Sequence, residues 1–168
     1  MLSNKRLVAA TALVFLGFLG VSPAKANDDD TKCYTATSLN GTYAVIGTYG
    51  SNVALALGIR HFDGKGNLTG TFTLNEPDPA SSTGGRKIVT GTQVGTYTVN
   101  CDGTGVITRT VTASNGVTAT QMDDFVITKA TVKHDQLIAT ALEDATRVPS
   151  AIVPGGIFVI RSYTRRPD

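Results

Sequence analysis

A short polar turn between two strand-like runs constrains the fold of this chain more than any other feature. A largely apolar run over residues 53–62 reaches a turn at residues 63–67, and a run that alternates threonine with Leu, Gly or Phe leaves it over residues 68–74. Alternation with a period of two is typical of a half-buried β-strand, and Gly and Asn tolerate the positive φ angles of tight antiparallel turns. The segment is therefore predicted to be a β-hairpin.

The same pattern recurs along most of the chain, and no convincing helix is predicted. About eight strands, joined mostly by turns of hairpin length, predict an all-β fold whose consecutive antiparallel strands close into an up-and-down barrel. A two-sheet β-sandwich is the alternative, because alternation alone does not separate the two architectures. The predicted strand segments cover residues 42–49, 53–62, 68–74, 86–93, 95–100, 106–113, 117–129, 136–142 and 157–164.

The start of the chain has the pattern of a signal peptide. Two basic residues precede an apolar run over residues 7–21, and Ala24-Lys25-Ala26 matches a small-x-small cleavage site. The apolar run is shorter than the roughly 20 residues that a membrane helix needs, and an uncleaved membrane anchor is the alternative. We therefore expect residues 1–26 to be removed, residues 27–38 to form a flexible acidic leader, and residues 39–168 to form one barrel domain.

Removal of the signal peptide changes the charge of the chain. The full sequence has 15 Lys and Arg residues against 13 Asp and Glu. Three of the basic residues precede residue 27, so the mature chain is nearly neutral and has no basic stripe that would indicate a nucleic-acid binder. About 140 residues form one ordinary domain with a sizeable core.

The two cysteines, Cys33 and Cys101, both lie in the part of the chain that we expect to be exported, where disulfides persist. A bond between them would tie the N-terminal arm to the middle of the fold and stabilise it by roughly 4 kcal/mol on the chain-entropy model. Two independent free thiols are the alternative. A zinc site is not expected, because neither a CxxC motif nor a neighbouring His accompanies them.

Two glycine-rich stretches resemble a known class of proteins. F-D-G-K-G-N-L-T-G-T at residues 62–71 and G-T-Y-T-V-N-C-D-G-T-G at residues 95–105 are similar to segments of small exported bacterial proteins with calycin-type barrels, in particular the allene-oxide-cyclase-like group. The resemblance implies a barrel over residues 39–161, a periplasmic or extracellular location, and a hydrophobic cavity of the kind that holds an oxidised fatty acid. The matching positions are mainly turn glycines and strand threonines, which report fold rather than chemistry.

The sequence contains no established catalytic motif, and no cofactor is expected. The turn at residues 63–67 has some likeness to a calcium loop, but Lys65 stands where an oxygen ligand is needed and Leu74 where the loop requires a carboxylate, so no metal is expected. His61 is in phase with the apolar residues of its strand, so it would be the speculative catalytic proton carrier if it pointed into the barrel. The alternative is a histidine at a strand end beside a turn.

Two arginines interrupt apolar faces of predicted strands. Arg109 lies between Ile107 and Val111, and Arg161 lies in phase with Val159 and Tyr163. A charge inside a barrel must be paired or solvated, because burying it alone is very costly. Asp123 and Glu143 are candidate partners, and an internal group of this kind would anchor the acidic head of a ligand. The alternative places these residues on the solvent face near strand ends.

Three functions follow from these features. The first is an exported barrel that binds a small apolar or amphipathic ligand, with Arg109 or Arg161 as the polar anchor. The second is a lipid cyclase or isomerase, and the third is a structural envelope protein with a solid core. The expected partner is a small lipophilic molecule, without nucleic acid and without a membrane span after cleavage. The residues expected to line the cavity are Val53, Leu55, Leu57, Phe72 and Tyr97.

Overall fold

The computed structural model describes residues 32–49, 54–78, 80–149 and 158–167. Eight antiparallel strands follow one another in chain order and close into a barrel, with the last strand paired to the first. The predicted up-and-down barrel is confirmed and the sandwich alternative is wrong. At this coarse level the fold is consistent with the calycin-like resemblance. The strands are β1 (Gly41–Tyr49), β2 (Ala54–Phe62), β3 (Asn67–Pro77), β4 (Arg86–Val99), β5 (Thr104–Ala113), β6 (Thr118–Lys133), β7 (Gln136–Thr146) and β8 (Ile160–Arg165).

The predicted hairpin at residues 59–74 is confirmed as β2, a tight turn and β3. The backbone N–H of Asp63 donates to the carbonyl of Asn67, and Gly64 and Gly66 take positive φ angles of 73° and 100°. The Asp63 carboxylate accepts hydrogen bonds from the side chain and backbone of Asn67 and from the backbone of Lys65, which lower its pKa to about 2. These bonds within the turn use the carboxylate as a structural acceptor.

One strand differs from its prediction. The two segments predicted over residues 86–93 and 95–100 form a single strand, β4, rather than two strands that meet at a corner. Gly95 lies within this strand, opposite Arg109 of β5. A Cβ atom at Gly95 would lie 2.2 Å from the carbonyl oxygen of Thr108 and 2.6 Å from the Cα of Arg109. The glycine therefore permits a close approach between β4 and β5 instead of a bend.

The segment before β1 packs against the barrel. A 3-10 helix, Ala36–Leu39, buries Ser38 and Leu39, and the hydroxyl of Tyr97 donates to the carbonyl of Ala36 at 3.0 Å. Cys33 and Cys101 form a disulfide that ties this segment to the turn between β4 and β5. The described part of the predicted flexible leader, residues 32–38, is thus attached to the fold.

Other expectations for the ends of the chain lie outside the described residues. These are the signal peptide at residues 1–26 and the acidic start of the leader. Within the residues that the structure describes, no helix is long and apolar enough to cross a membrane.

Two apolar clusters occupy the barrel interior. The first surrounds Tyr43, Phe62 and Tyr97, whose rings meet edge to face at centroid distances of 5.5 and 5.0 Å. The second is made of smaller side chains around Leu74 and Val111. Strands β1 to β5 each contribute residues to both clusters, and the inward positions at the level between the clusters lie between two apolar layers. These intermediate positions hold the charged residues described next.

Candidate functional site

Three arginines and two aspartates lie inside the barrel between the two apolar clusters. Along β5, Arg109 stands between Ile107 of the first cluster and Val111 of the second. Along β8, Arg161 stands between Val159 and Tyr163 in the same way. We call the group of Arg60, Arg109, Arg161, Asp123 and Asp144 the charge centre; all five are between 0 and 4% exposed. Water therefore does not neutralise these charges, and the protein must do so itself.

Arg161 bridges the two buried carboxylates. Its Nη2 atom is 2.5 Å from Oδ1 of Asp123, and its Nε atom is 2.8 Å from Oδ1 of Asp144. Arg109 donates its Nε–H to the second oxygen of Asp123 at 2.8 Å. Each carboxylate is consequently held by at least one guanidinium group in charge-assisted geometry.

Arg60 completes the network from β2. Its Nη1 atom lies 3.5 Å from Oδ2 of Asp144 and donates to the hydroxyl of Tyr163, which in turn donates to Asp144. Its Nη2 atom donates to Oε1 of Gln93 at 2.9 Å. Burial raises the pKa of the Tyr163 hydroxyl above its usual range, so this hydroxyl stays protonated and able to donate.

The charge centre carries a net positive charge. Three guanidinium groups face two carboxylates, which leaves one positive charge without a counter-charge among these five residues. Two N–H groups also lack a hydrogen-bond acceptor among the described residues: Nη2 of Arg109 and Nε of Arg60. Unsatisfied buried donors and an uncompensated buried charge are both costly, and a bound anion relieves both costs.

The pKa values show where the excess charge is least favourable. Burial, followed by repulsion from Arg161 and Arg60, lowers the pKa of Arg109 to about 10, against the attraction of Asp123. This change corresponds to roughly 3 kcal/mol of unfavourable free energy for the charged form. Burial by itself lowers the pKa of Arg161, but the attraction of Asp144 and other acidic groups outweighs burial, and the net pKa is raised. Of these two arginines, Arg109 is therefore the one whose charged form burial and repulsion disfavour.

The pKa of Asp123 is set by burial and by the surrounding arginines, which act in opposite directions. Burial by itself raises its pKa, but attraction by Arg161 and then by Arg109 and Arg60 outweighs burial, and the net pKa is lowered. Asp123 thus remains ionised inside the barrel, and its charge is committed to the arginines that surround it.

A small cavity adjoins the charge centre. Its volume is about 30 Å³, and Arg60, Arg109, Arg161 and Gln93 contribute to its lining together with Phe72. A space of this size holds a single water molecule or a small anion, because about 10 to 15 Å³ of probe volume suffices for one water. It does not hold a whole lipid. The described interior therefore offers a small polar site rather than the open apolar cavity that the resemblance implies.

Several predicted residues do meet at this site. Arg109 and Arg161 lie inside the barrel and share Asp123, as the internal interpretation required; for these three residues the solvent-face alternative is wrong. Phe72 lines the cavity. Tyr97 is buried, but it belongs to the first apolar cluster, where it contacts Phe62 rather than the charge centre.

Two side chains that were predicted on β2 to line the cavity face outward. Leu55 and Leu57 are both 61% exposed and lie on the outer face, whereas the alternate residues face inward. Gly58 faces inward, and a Cβ atom there would lie 2.5 Å from the carbonyl oxygen of Thr71, so β2 and β3 approach each other closely at this position. Val53 lies outside the described residues.

His61 also lies on the outer face of β2. It is exposed, and its Nδ1 atom is 3.2 Å from the hydroxyl oxygen of Thr42 on the neighbouring strand. The hypothesis that His61 points into the barrel is wrong, because His61 alternates in phase with the outward-facing Leu55 and Leu57. The alternative, a histidine at a strand end beside a turn, agrees with the structure.

The second predicted acidic partner is displaced by one residue. Glu143 is exposed, and Asp144 occupies the interior instead. The pairing of β6 with β7 shifts register on either side of Lys129, which breaks the alternation along both strands. A β-bulge of this kind reverses which residues face inward beyond it. The prediction assumed regular alternation from Leu137 onward, and it therefore assigned Glu143 to the wrong face of the strand.

Two members of the site were missed. Arg60 lies on the face of β2 opposite to Leu55 and Leu57, which were predicted to line the cavity. Gln93 of β4 was not predicted as a site residue, although it is 5% exposed and receives a hydrogen bond from Arg60. A signal was present in Ala54, Ala56 and Gly58, because small residues in phase with a buried arginine are typical of a crowded barrel interior.

Comparison of the chain with protein-family models, with curated proteins and with solved structures found no match in any of the three.

Proposed function

We propose that this protein is an exported binding module whose barrel takes the anionic head of a small amphipathic molecule at the charge centre. The observation that carries the proposal is the single excess positive charge buried among Arg60, Arg109 and Arg161. A ligand with one negative charge brings the buried group to neutrality. A dianion overshoots neutrality, so a monocarboxylate is the favoured class.

The surroundings of the cavity support an apolar tail on that carboxylate. The second apolar cluster, on one side of the charge centre, is built largely from small aliphatic side chains. Its members and neighbours include Ala54, Ala56, Val89, Val111 and Ala113. The space of about 30 Å³ accommodates the head group, and the tail has to displace some of these side chains as it enters.

Carboxylate binding is tested by its effect on thermal stability. Octanoate, acetate, chloride and sulfate are titrated at constant ionic strength, and the melting temperature of the exported protein is followed by calorimetry. Octanoate at 100 times its Kd should stabilise the native state by about 2.7 kcal/mol. Sulfate should give a smaller effect, because two charges exceed the one that the site lacks.

Arg109→Met supplies the matched test of the site. It removes the excess charge and should abolish the response to octanoate. Arg147→Met is the control, because Arg147 is exposed and paired with Asp124 on the outer face; the octanoate response should persist in that variant. If no monoanion raises the melting temperature, or if Arg109→Met responds as the unchanged protein does, the proposal fails.

A structural role is the second candidate, and the filled interior favours it. The largest buried side chains include Arg60, Tyr43 and Tyr163, which occupy the space that a ligand would need. On this hypothesis the charge centre is part of the packed core. Native mass spectrometry of the protein, purified under non-denaturing conditions, should then show only the mass of the chain itself. A retained small molecule would exclude the solid-core version.

A further inference from the structure

The last residue of β1, Tyr49, lies inside the barrel beside the charge centre without belonging to its network of ion pairs. Its side chain is 5% exposed and is a member of the second apolar cluster. It lines the same small cavity as Arg60, Arg109 and Arg161. Tyr49 is therefore on the boundary between the charge centre and the second apolar cluster.

A glycine brings Tyr49 and Arg161 close together. Gly47 is the inward residue before Tyr49 on β1, and it lies opposite Arg161 of β8. A Cβ atom at Gly47 would lie 2.8 Å from Cγ of Arg161, so the stem of the arginine occupies the space that a side chain would take. Because inward residues alternate along a strand, Tyr49 is the next inward neighbour of this arginine.

The hydroxyl of Tyr49 differs from the hydroxyls of the other buried tyrosines. Buried tyrosine hydroxyls usually have a hydrogen-bond partner. Three of the four buried tyrosines that the structure describes donate to protein oxygen atoms: Tyr43, Tyr97 and Tyr163. The Tyr49 hydroxyl has no hydrogen-bond partner among the described residues. It is therefore an unpaired donor at the wall of the cavity.

This hydroxyl is a neutral donor and not the missing counter-charge of the charge centre. Burial raises the pKa of Tyr49 above its usual value, although the positive charges of Arg161 and Arg109 lower it. An ionised Tyr49 would neutralise the excess positive charge, but the raised pKa keeps the hydrogen on the oxygen near neutral pH. The excess charge and the unpaired O–H group therefore adjoin the same cavity, and an anion satisfies both.

Tyr49 and Arg109 approach the cavity from opposite walls of the barrel. In the closed order of eight strands, β5 lies four strands from β1 in either direction. Both side chains line the cavity of about 30 Å³, and Nη2 of Arg109 has no acceptor among the described residues. A carboxylate presents two oxygen atoms that each accept a hydrogen bond, whereas a halide ion offers a single centre. Two donors on opposite sides of one small space therefore match a carboxylate.

Given a monocarboxylate at the charge centre, on which this inference rests, we propose that Tyr49 donates to one oxygen of the bound carboxylate while Arg109 donates to the other. The site then prefers a carboxylate to a halide ion of the same charge. Because Tyr49 belongs to the second apolar cluster, the same contact directs the ligand tail toward the small aliphatic side chains of that cluster.

Tyr49→Phe tests this role, because it removes the hydroxyl and keeps the ring. Octanoate binding is measured by isothermal titration calorimetry at constant ionic strength, with acetate and chloride as competitors. The affinities for octanoate and acetate should fall at least about 10-fold, as for the loss of a hydrogen bond to a charged group. The affinity for chloride should fall less, because chloride keeps its contact with Arg109. Without ligand, the variant should melt no lower than the unchanged protein, because its hydroxyl has no partner to lose.

Tyr97→Phe is the matched control. The Tyr97 hydroxyl donates to the carbonyl of Ala36, and its ring packs in the first apolar cluster. Removing this hydroxyl should lower the melting temperature and leave the affinity for octanoate unchanged, which is the opposite of the result expected for Tyr49→Phe.

Equal octanoate affinity in Tyr49→Phe and in the unchanged protein would overturn the role of Tyr49 and leave the proposed function intact. Losses of equal size for acetate and chloride would also overturn it, since Tyr49 would then recognise charge and not a second oxygen atom. A melting temperature lowered as much as in Tyr97→Phe would show that the Tyr49 hydroxyl has a structural partner, with the same consequence. If the unchanged protein binds no octanoate, the proposed function fails, and the role of Tyr49 fails with it.

Discussion

Asp123 holds two of the three buried arginines at once, through Oδ1 to Arg161 and through Oδ2 to Arg109. Removing its charge would leave three guanidinium groups facing Asp144 as their only carboxylate in the charge centre. Removing Arg109 instead would leave two positive and two negative charges. The two substitutions therefore remove opposite partners of the same ion pair, and they change the net buried charge in opposite directions.

We predict different free energies of unfolding for the two variants. Asp123→Asn should lose about 3 to 5 kcal/mol, because it leaves buried arginines uncompensated. Arg109→Met should change stability by no more than about 1 kcal/mol, because it restores neutrality and Asp123 keeps its ion pair with Arg161. Urea unfolding at low salt measures both. Equal losses in the two variants would show that Arg109 is fully compensated and that the charge centre has no excess charge.

Strand β4 shows how an element positions the site. Its inward residues alternate between small and large, and Gly95 allows β5 to approach closely enough for Arg109 to lie at the barrel centre. The register shift between β6 and β7 has a similar role, because it turns Asp144 rather than Glu143 toward the arginines. The charge centre therefore depends on local departures from regular strand geometry as well as on its charged residues.

Gly95→Ala tests the close approach of β4 and β5. The added Cβ would lie 2.2 Å from a backbone carbonyl oxygen, which has little freedom to move. We expect a loss of about 1 to 3 kcal/mol in the free energy of unfolding, as for overpacked cores, together with a weaker response to octanoate. Thr96→Ala changes the next residue, whose side chain faces solvent, and should have little effect. Unchanged stability in Gly95→Ala would show that the strands separate without cost.

At the scale of the whole molecule, closure of the sheet accounts for most of the architecture. Pairing of β8 with β1 leaves no free sheet edge in the described barrel, so backbone groups on every strand have a neighbouring strand to pair with. The N-terminal segment adds a second constraint. It lies against the β4–β5 turn, where the backbone N–H of Tyr34 donates to the carbonyl of Cys101 and the disulfide joins Cys33 to the same residue.

Loss of this disulfide should destabilise the whole barrel. The bond spans 68 residues of chain, and the chain-entropy model gives a stabilisation of roughly 4 kcal/mol for a loop of that length. Guanidinium unfolding with and without reductant should show a loss of that size. The double variant Cys33→Ala, Cys101→Ala serves as the control, because it should be equally destabilised and should not respond to reductant. An unfolding midpoint that reductant leaves unchanged would contradict the prediction.

Sequence alone predicted an all-β fold of about eight strands with a barrel as the favoured architecture, its hairpin turns, the pairing of the two cysteines as the favoured interpretation, and two arginines of the charge centre. These features are local: alternation, turn glycines and a charge that interrupts an apolar face are visible within a few residues. Tertiary structure alone decided which face of β2 points inward, and so brought Arg60 inside and placed Leu55, Leu57 and His61 outside. Pairing within the closed sheet decides this, because both faces of β2 carry apolar residues and only the position of the strand in the barrel sets which face points inward. The bulge that selects Asp144 is likewise set by pairing between strands and not by either strand on its own.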